Sequence, residues 1–591
     1  MMRTKKRAIG VALGAVVSLA AAACSSGGGT TTAPPASGGT GGGGGGGGAS
    51  AAAAAKGGTL YFLSLGPQEH WDPQRMYIGA DIEFASRVFS RTLTTFSPGK
   101  DSKLTPDLAT DLGTMSDGGK TWKFTLIDGA KWQDGQAVKC EDIKYGVSRT
   151  FAQDIITGGP NYAIQYLDIP SKKDDKGEEV PAYDGPYKGT GQDLYDKAVT
   201  CSGQTITFKM KIPVTDFNQA VTFPAFTGFR KDQDKAAASD FAVFSDGPYM
   251  LEGTFEPTKG GKFVRNPNWD AGSDKIRKAY PDVIDYQLGA QTETVFQRFI
   301  ADQGNDKFAV GNGTAPPALL AQIASNPAAQ KRAVNPVAPY VDYIQPNVKS
   351  KVFSNEAARK AFATATNRDA YITAYGGPSV MVPSYAMCNK ALACFKDFNP
   401  FGAPTAGDPV AAKKMLTDAG VAMPVNITVV YRKRPTNDKA LAALKETWDK
   451  AGFNVTLEGI SEKYYATIQG PAYATKDAFW AGWGADWPSG STVIPALFDG
   501  RVNISAGGSG QDYGYFNDPE VNAKIDAAYK IQDATAREKA WGDIDEMIAK
   551  KAGVIPLVNQ KFTFMYGSGV KNYENNELLG GYVDLANIAV K

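Results

Sequence analysis

The feature that limits this chain most is a stretch that cannot fold. From Ser25 to Ala55 the sequence uses only Gly, Ser, Thr, Ala and Pro, and it includes eight consecutive glycines, Gly41 to Gly48. Such a segment has too little apolar surface to offset the entropy of ordering it. We expect a flexible coil reaching roughly 30 Å. The chain is thereby divided into a short N-terminal segment and a long remainder that must supply every folded element.

The short segment has the layout of an export signal. Arg3, Lys5, Lys6 and Arg7 precede an unbroken run of small or apolar residues from Ala8 to Ala20, and Ala21-Ala22-Ala23 lead into Cys24. The run is shorter than the roughly 20 residues a spanning helix needs. A small-residue cleavage site followed by cysteine resembles the lipobox of bacterial lipoproteins, with Ala21 where leucine is usual. That resemblance implies a signal peptide at 1–23, a lipid on Cys24, and a tether at 24–56 holding the protein to the outer face of the cell membrane.

Composition narrows what the remainder can do. About 535 residues follow the linker, enough for two or three structural units. Without residues 1–23 the chain keeps 59 basic against 61 acidic residues, a balance that argues against nucleic acid as a partner. The single histidine, His70, rules out a multi-histidine zinc site and an HExxH helix, and neither GxSxG nor a P-loop is present. His70 lies in Gln68-Glu69-His70-Trp71-Asp72-Pro73 and reads as structural. No cofactor and no metal site is expected.

Four cysteines remain, Cys140, Cys201, Cys388 and Cys394, an even number that suits disulfides in an exported protein. Three pairings are possible. We expect Cys140–Cys201 and Cys388–Cys394, since each pair falls within one domain and the second closes a short loop. A four-thiolate metal site would call for a CxxC, which is missing.

A series of turn-punctuated elements carries a family resemblance. Gly58 to Leu63 reads as a strand, Trp71-Asp72-Pro73 as a turn, and Ile82 to Arg91 as a helix. Leu104-Thr105-Pro106-Asp107-Leu108-Ala109 follows. Asp117 to Leu126 and Asp128 to Val138 give glycine turn, alternating strand and glycine turn, before a helix with Glu141-Asp142 in its first turn, where carboxylates suit the dipole. Asp246-Gly247-Pro248-Tyr249, Arg265-Asn266-Pro267-Asn268-Trp269, Ala357 to Ala363 with Asn367-Arg368-Asp369, Ala411 to Gly420, Tyr515 to Val521, and Val554-Ile555-Pro556-Leu557 continue the series. In this order they resemble the family-5 solute-binding proteins of ABC importers, the group of dipeptide, oligopeptide and nickel-chelate receptors, over nearly all of residues 57–591.

The resemblance implies an α/β protein of periplasmic-binding-protein-like fold: two lobes, a hinge and an extra inserted domain, closing over a ligand. Lobe 1 would comprise 57–94, 231–340 and 557–591, the inserted domain 95–230, and lobe 2 341–556. The charged stretch Ser171 to Glu179 reads as a solvated loop. Peptide-binding members place an acid at the position of Asp486, within Phe479 to Ser489, to pair with the ligand's α-ammonium. Main-chain groups of the preceding residues, here Gly484 and Ala485, bond the peptide backbone. Trp480, Trp483 and Trp487 are candidate ring contacts. Tyr162 resembles a pocket-facing tyrosine of the inserted domain, and Tyr77 sits at the start of a stretch expected on the rim of lobe 1. Some oligopeptide receptors have an arginine where Trp480 stands, for the ligand carboxylate; Arg432, Lys433 and Arg434 are possible replacements.

The function expected is therefore that of a monomeric, lipid-anchored binding protein, not an enzyme. It would capture a small peptide or similar cationic solute and deliver it to the transmembrane subunits of an ABC permease. The same fold also carries oligosaccharides, opines and metal chelates. A secreted glycoside hydrolase working through two carboxylates, and a cell-wall adhesin, remain alternatives from other classes.

Overall fold

Gly58 has a positive φ of 83°, a backbone state that costs glycine little, and it turns the chain into its first strand, Thr59–Leu63. The structure, a computed structural model, describes residues 55–99, 102–174, 179–505 and 508–591. The export signal, Cys24 and the glycine linker lie outside these residues.

Two mixed sheets organise a two-lobed α/β fold. In the first, Thr59–Leu63 runs parallel to both Val283–Gln287 and Ala309–Gly311, and the hairpin Tyr249–Glu256 with Gly260–Arg265 extends it antiparallel. In the second, Val337–Pro346 lies between Ile555–Lys561 and Ala478–Gly484, with Val425–Arg432 and Phe453–Ile460 beyond and Met381–Pro383 at the far edge. A four-stranded antiparallel sheet, built from Thr114–Ser116, Thr121–Thr125, Thr205–Lys209 and Val199–Ser202, forms the centre of a separate segment inserted between strands of the first. Two antiparallel stretches connect the lobes, since Ala333–Val334 pairs with Phe564–Met565 just before Val337 pairs with Lys561.

Apolar burial follows the same division. One core gathers residues between Val341 and Val558, including Phe362 stacked on Trp448 with ring centroids 4.4 Å apart. The other runs without a break from Leu60, Phe84 and Phe263 into the inserted sheet at Phe124, Phe208 and Phe226, so the first lobe and the insertion share one interior. Trp487 is the exception to the division. It follows the last residues of a second-lobe strand, yet packs in the core of the first lobe and insertion.

The short motifs of the sequence turn out to be buried ionic and turn structure. Asp107 accepts from Arg91 and Arg277, and the Asp246 side chain accepts the Arg91 backbone N–H at 2.8 Å. Asp72 of Trp-Asp-Pro receives both terminal nitrogens of Arg149 from the insertion. Asp142 caps its helix Cys140–Arg149 by accepting from the Lys139 N–H. Helix Pro409–Asp418 ends on Gly420 at a φ of 65°, a left-handed terminus that glycine favours. The first helix spans Gly79–Val88, three residues earlier than its apolar pattern suggests. It stops because Phe89 and Ser90 both bond to the Ala85 carbonyl while Asp246 captures Arg91.

Disulfides join Cys140 to Cys201 and Cys388 to Cys394. The ends of the charged stretch expected as a loop, Ser171–Lys173 and Glu179–Pro181, form a small antiparallel pair. Among the described residues no helix is long and apolar enough to cross a membrane.

Candidate functional site

The strand Ala478–Gly484 leads into the site. It pairs with Val337–Pro346 along its whole length, but with Val425–Arg432 only at Ala478 and Phe479. Past that point no strand pairs with its second edge among the described residues, and tyrosine hydroxyls take its first main-chain groups. The Tyr464 hydroxyl donates to the Trp480 carbonyl at 2.5 Å, and the Tyr465 hydroxyl accepts from the Gly482 N–H at 3.3 Å. Strand alternation then aims the main-chain groups of Gly484 at the same edge, where it borders a cavity. Gly484 is required for packing, because a Cβ there would come within 2.5 Å of the Tyr340 ring.

Asp486 follows directly. Its Oδ2 accepts from the Tyr77 hydroxyl at 2.9 Å and also from the Tyr162 hydroxyl. One tyrosine precedes the first helix of lobe 1 and the other begins a short helix of the insertion, so three parts of the chain meet on one carboxylate. No lysine, arginine or histidine among the described residues forms an ion pair with it. Burial pushes its pKa up to about 7, against the opposing pull of the Tyr77 hydrogen bond. The Tyr77 hydroxyl is in turn held above its ordinary range by burial and by the Asp486 charge.

The cavity holds about 260 Å³. Its walls come from the first helix at Gly79, Ile82 and Glu83, from Thr222 and Phe223 of the insertion, from Tyr340 on the strand Val337–Pro346, from residues 483–488 of the second lobe, and from the C-terminal turn Glu577–Gly580. Leu392, held inside the six-residue Cys388–Cys394 loop, also reaches it. Glu83, Asp486 and Glu577 are the charged side chains of the lining, which has no basic residue. Tyr162, Phe223 and Trp487 form an aromatic group beneath Asp486, with Tyr162 and Trp487 centroids 4.8 Å apart.

The three tryptophans separate. Trp483 is half-buried, lines the cavity, and donates its indole N–H to the Thr492 carbonyl at 2.9 Å. Trp480 faces the other way: it lies in the second-lobe core, donating to the Tyr371 hydroxyl at 2.8 Å, and does not line the cavity. Period-two alternation accounts for this, because the residue three places from Trp483 must point to the opposite face. Trp487 touches the cavity but is otherwise enclosed; its indole N–H donates to Asp216 of the insertion at 2.9 Å, and Ser491 bonds the same carboxylate. Ala485 lines the cavity beside Gly484, and Tyr77 stands 46% exposed at its mouth. Arg432, Lys433 and Arg434 stay outside the lining.

His70 is structural in setting, with its Nδ1 2.6 Å from Asp240, which also pairs with Arg75. Sequence reading missed Tyr340, Phe223, Glu83, Leu392 and the 577–580 turn. Among the described residues no group of three or more His, Cys, Asp or Glu side chains could hold a metal ion.

A cleft walled by two lobes and an insertion, with an unpaired acid and an open strand edge inside it, defines an extracytoplasmic solute receptor of the ABC-importer class. The chain belongs to the bacterial extracellular solute-binding proteins, family 5, matching that family over residues 103–504. It is 22% identical over 492 residues to the glutathione-binding protein GsiB of Salmonella typhi, covering 81% of this chain and 85% of the relative. It is 23% identical over 513 residues to the dipeptide-binding protein DppE of Bacillus subtilis, covering 82% and 84%. Among solved structures it resembles clavulanic acid biosynthesis oligopeptide binding protein 2, with a TM-score of 0.81, 27% identity, and coverage of 91% and 96%.

Proposed function

We propose that this receptor captures a short peptide, or a solute with a similar primary ammonium, and passes it to an ABC permease while tethered through a lipid on Cys24. The observation that carries the reading is Asp486: a half-buried carboxylate oriented by Tyr77 and Tyr162, and short of a cation. An α-ammonium seated there restores the charge balance that burial upsets. The open edge at Gly484 and Ala485 then takes the peptide main chain as an added strand, without demanding particular side chains. Trp483 and Tyr340 offer ring faces to what lies between.

Relatives named for binding glutathione, dipeptides and oligopeptides support the ligand class. Trp487 supports closure as the capture step, since it spans from a second-lobe strand into the core of the first lobe and insertion. The proposed boundaries are lobe 1 from 57–94, 231–340 and 557–591, the inserted domain from 95–230, and lobe 2 from 341–556. The protein acts as a monomer on this reading, without catalysis.

Native mass spectrometry of protein purified without denaturation tests the ligand class directly. A co-purified mass that fragments as a peptide is the expected result, and a dipeptide panel should raise the unfolding temperature by linkage. A carbohydrate mass, or no thermal response to any peptide, would remove the assignment.

A further inference from the structure

The strand that leads to Asp486 loses its second neighbour in a defined way. Val425–Arg432 pairs with Ala478–Gly484 only at Ala478 and Phe479, and beyond them the two strands part. The Tyr464 hydroxyl enters the split, 2.5 Å from the Trp480 carbonyl on one side and 3.1 Å from the Val430 carbonyl on the other. Tyr464 is 3% exposed and belongs to the second-lobe core. Tyr465 stands beside it, half-buried, with its ring stacked on Tyr513, and its hydroxyl accepts the Gly482 N–H. Both tyrosines open the short helix Tyr464–Gln469, which Lys463 enters at a left-handed φ of 48°, a backbone state that costs any residue with a Cβ.

Main-chain groups on one edge of a strand recur every second residue, about 7 Å apart. Trp480, Gly482 and Gly484 are the residues that turn theirs to the second edge after the strand partner ends. Tyrosine hydroxyls take the first two of these positions. Gly484 borders the cavity, whose lining includes neither Gly482 nor Tyr465. A peptide pairing with an edge engages it once for every two of its own residues. With its ammonium on Asp486 and its main chain running back along the strand, a ligand therefore has one step, at Gly484, before it meets Tyr465. The volume agrees: about 260 Å³ lies below the roughly 300–1,000 Å³ of cavities that hold drug-sized ligands.

We propose that Tyr465 is a length stop, ending the edge open to a peptide main chain after one step, so that the receptor takes di- and tripeptides and turns away longer chains. This rests on the peptide reading of the site and narrows it. A tetrapeptide anchored on Asp486 would have to displace the Tyr465 hydroxyl from the Gly482 N–H and its ring from Tyr513, and would regain only the one main-chain bond that it broke. Tyr464 acts one step behind, as the wedge that keeps the two strands apart.

Native mass spectrometry of the purified protein, incubated with an equimolar mixture of random peptide pools two to six residues long, reads the length directly. Wild type should capture two- and three-residue masses at least tenfold more than each longer class. Tyr465→Ala clears both ring and hydroxyl and should raise the ratio of long to short ligands at least tenfold. Tyr465→Leu keeps an apolar filler without the hydroxyl and should move the ratio the same way by a smaller step, which serves where Tyr465→Ala does not fold. If wild type captures four to six residues as well as two, the length stop is overturned and the peptide reading stands. The same holds if the variants lose capture equally at every length, the mark of a merely structural tyrosine. If wild type captures no pool, both fall.

Discussion

Replacing Asp486 with asparagine should separate the work this residue does for the ligand from what it costs the empty protein. The amide oxygen can still accept from Tyr77 and Tyr162, so the local geometry survives while the charge is lost. Removing one partner from a desolvated, hydrogen-bonded charge pair costs about 3 kcal/mol, or roughly 150-fold in Kd. The pH dependence is a second signature. Because burial raises the carboxyl from 3.8 to about 7, the ammonium-binding form is half-populated near pH 7, and wild-type affinity should fall tenfold per unit below about pH 6. In the variant that acid limb should vanish.

Stability should move the other way. The native carboxyl holds its proton between about pH 4 and 7, where the unfolded chain has already lost it, so its contribution to stability declines as pH rises through that window. Asparagine removes the penalty. Ligand-free Asp486→Asn should therefore unfold at a higher temperature than wild type at about pH 8, with the difference closing below about pH 4. Titration calorimetry and differential scanning calorimetry across pH read both effects. Unchanged peptide affinity, or an acid limb that persists in the variant, would refute the reasoning.

Other substitutions have distinct expected outcomes. Trp487→Ala takes a buried ring from the shared core of lobe 1 and the insertion and leaves Asp216 with one fewer donor; it should cost about 3–5 kcal/mol and enlarge the liganded protein in X-ray scattering, and an unchanged profile would count against docking of the lobes there. Trp480→Phe should lower the unfolding midpoint with peptide affinity intact, whereas Trp483→Ala should weaken binding; equal effects on affinity would contradict their opposite orientations. Serine in place of Cys140 and Cys201, which close a 61-residue span, should cost about 4 kcal/mol in denaturant titrations. The shorter Cys388–Cys394 loop should cost about 2 kcal/mol while also loosening Leu392 at the cavity.

What the sequence made legible was what local chemistry determines. Glycine at the end of Pro409–Asp418 and acids at the start of Cys140–Arg149 place elements because their effects act within a few residues. Asp486 is singled out by the family resemblance, in a segment that reads as an apolar strand stopping at a carboxylate and a proline turn. Glu83 did not stand out, since an acid between Ile82 and Phe84 on a helix carries no local sign of burial; the buried charges around it include Arg277 and Asp584, hundreds of residues away. Trp480 and Trp483 were indistinguishable by type, and only the pairing of their strand shows which faces the core. The first helix was displaced for a similar reason: its end is set by Asp246, beyond the whole insertion.

Asp486 and Trp487 are joined by a single peptide bond, one turned toward the cavity and the other locked into the opposite body through Asp216. On the proposed reading, a ligand held by the first acts on the second with no intervening lever. On the proposed reading, occupancy is thereby written into the outer shape of the molecule, which is the property a membrane partner can sense without touching the cargo. Such a device would let one permease serve many different peptides, since it would gauge the posture of the receptor and leave chemical discrimination to the cavity inside.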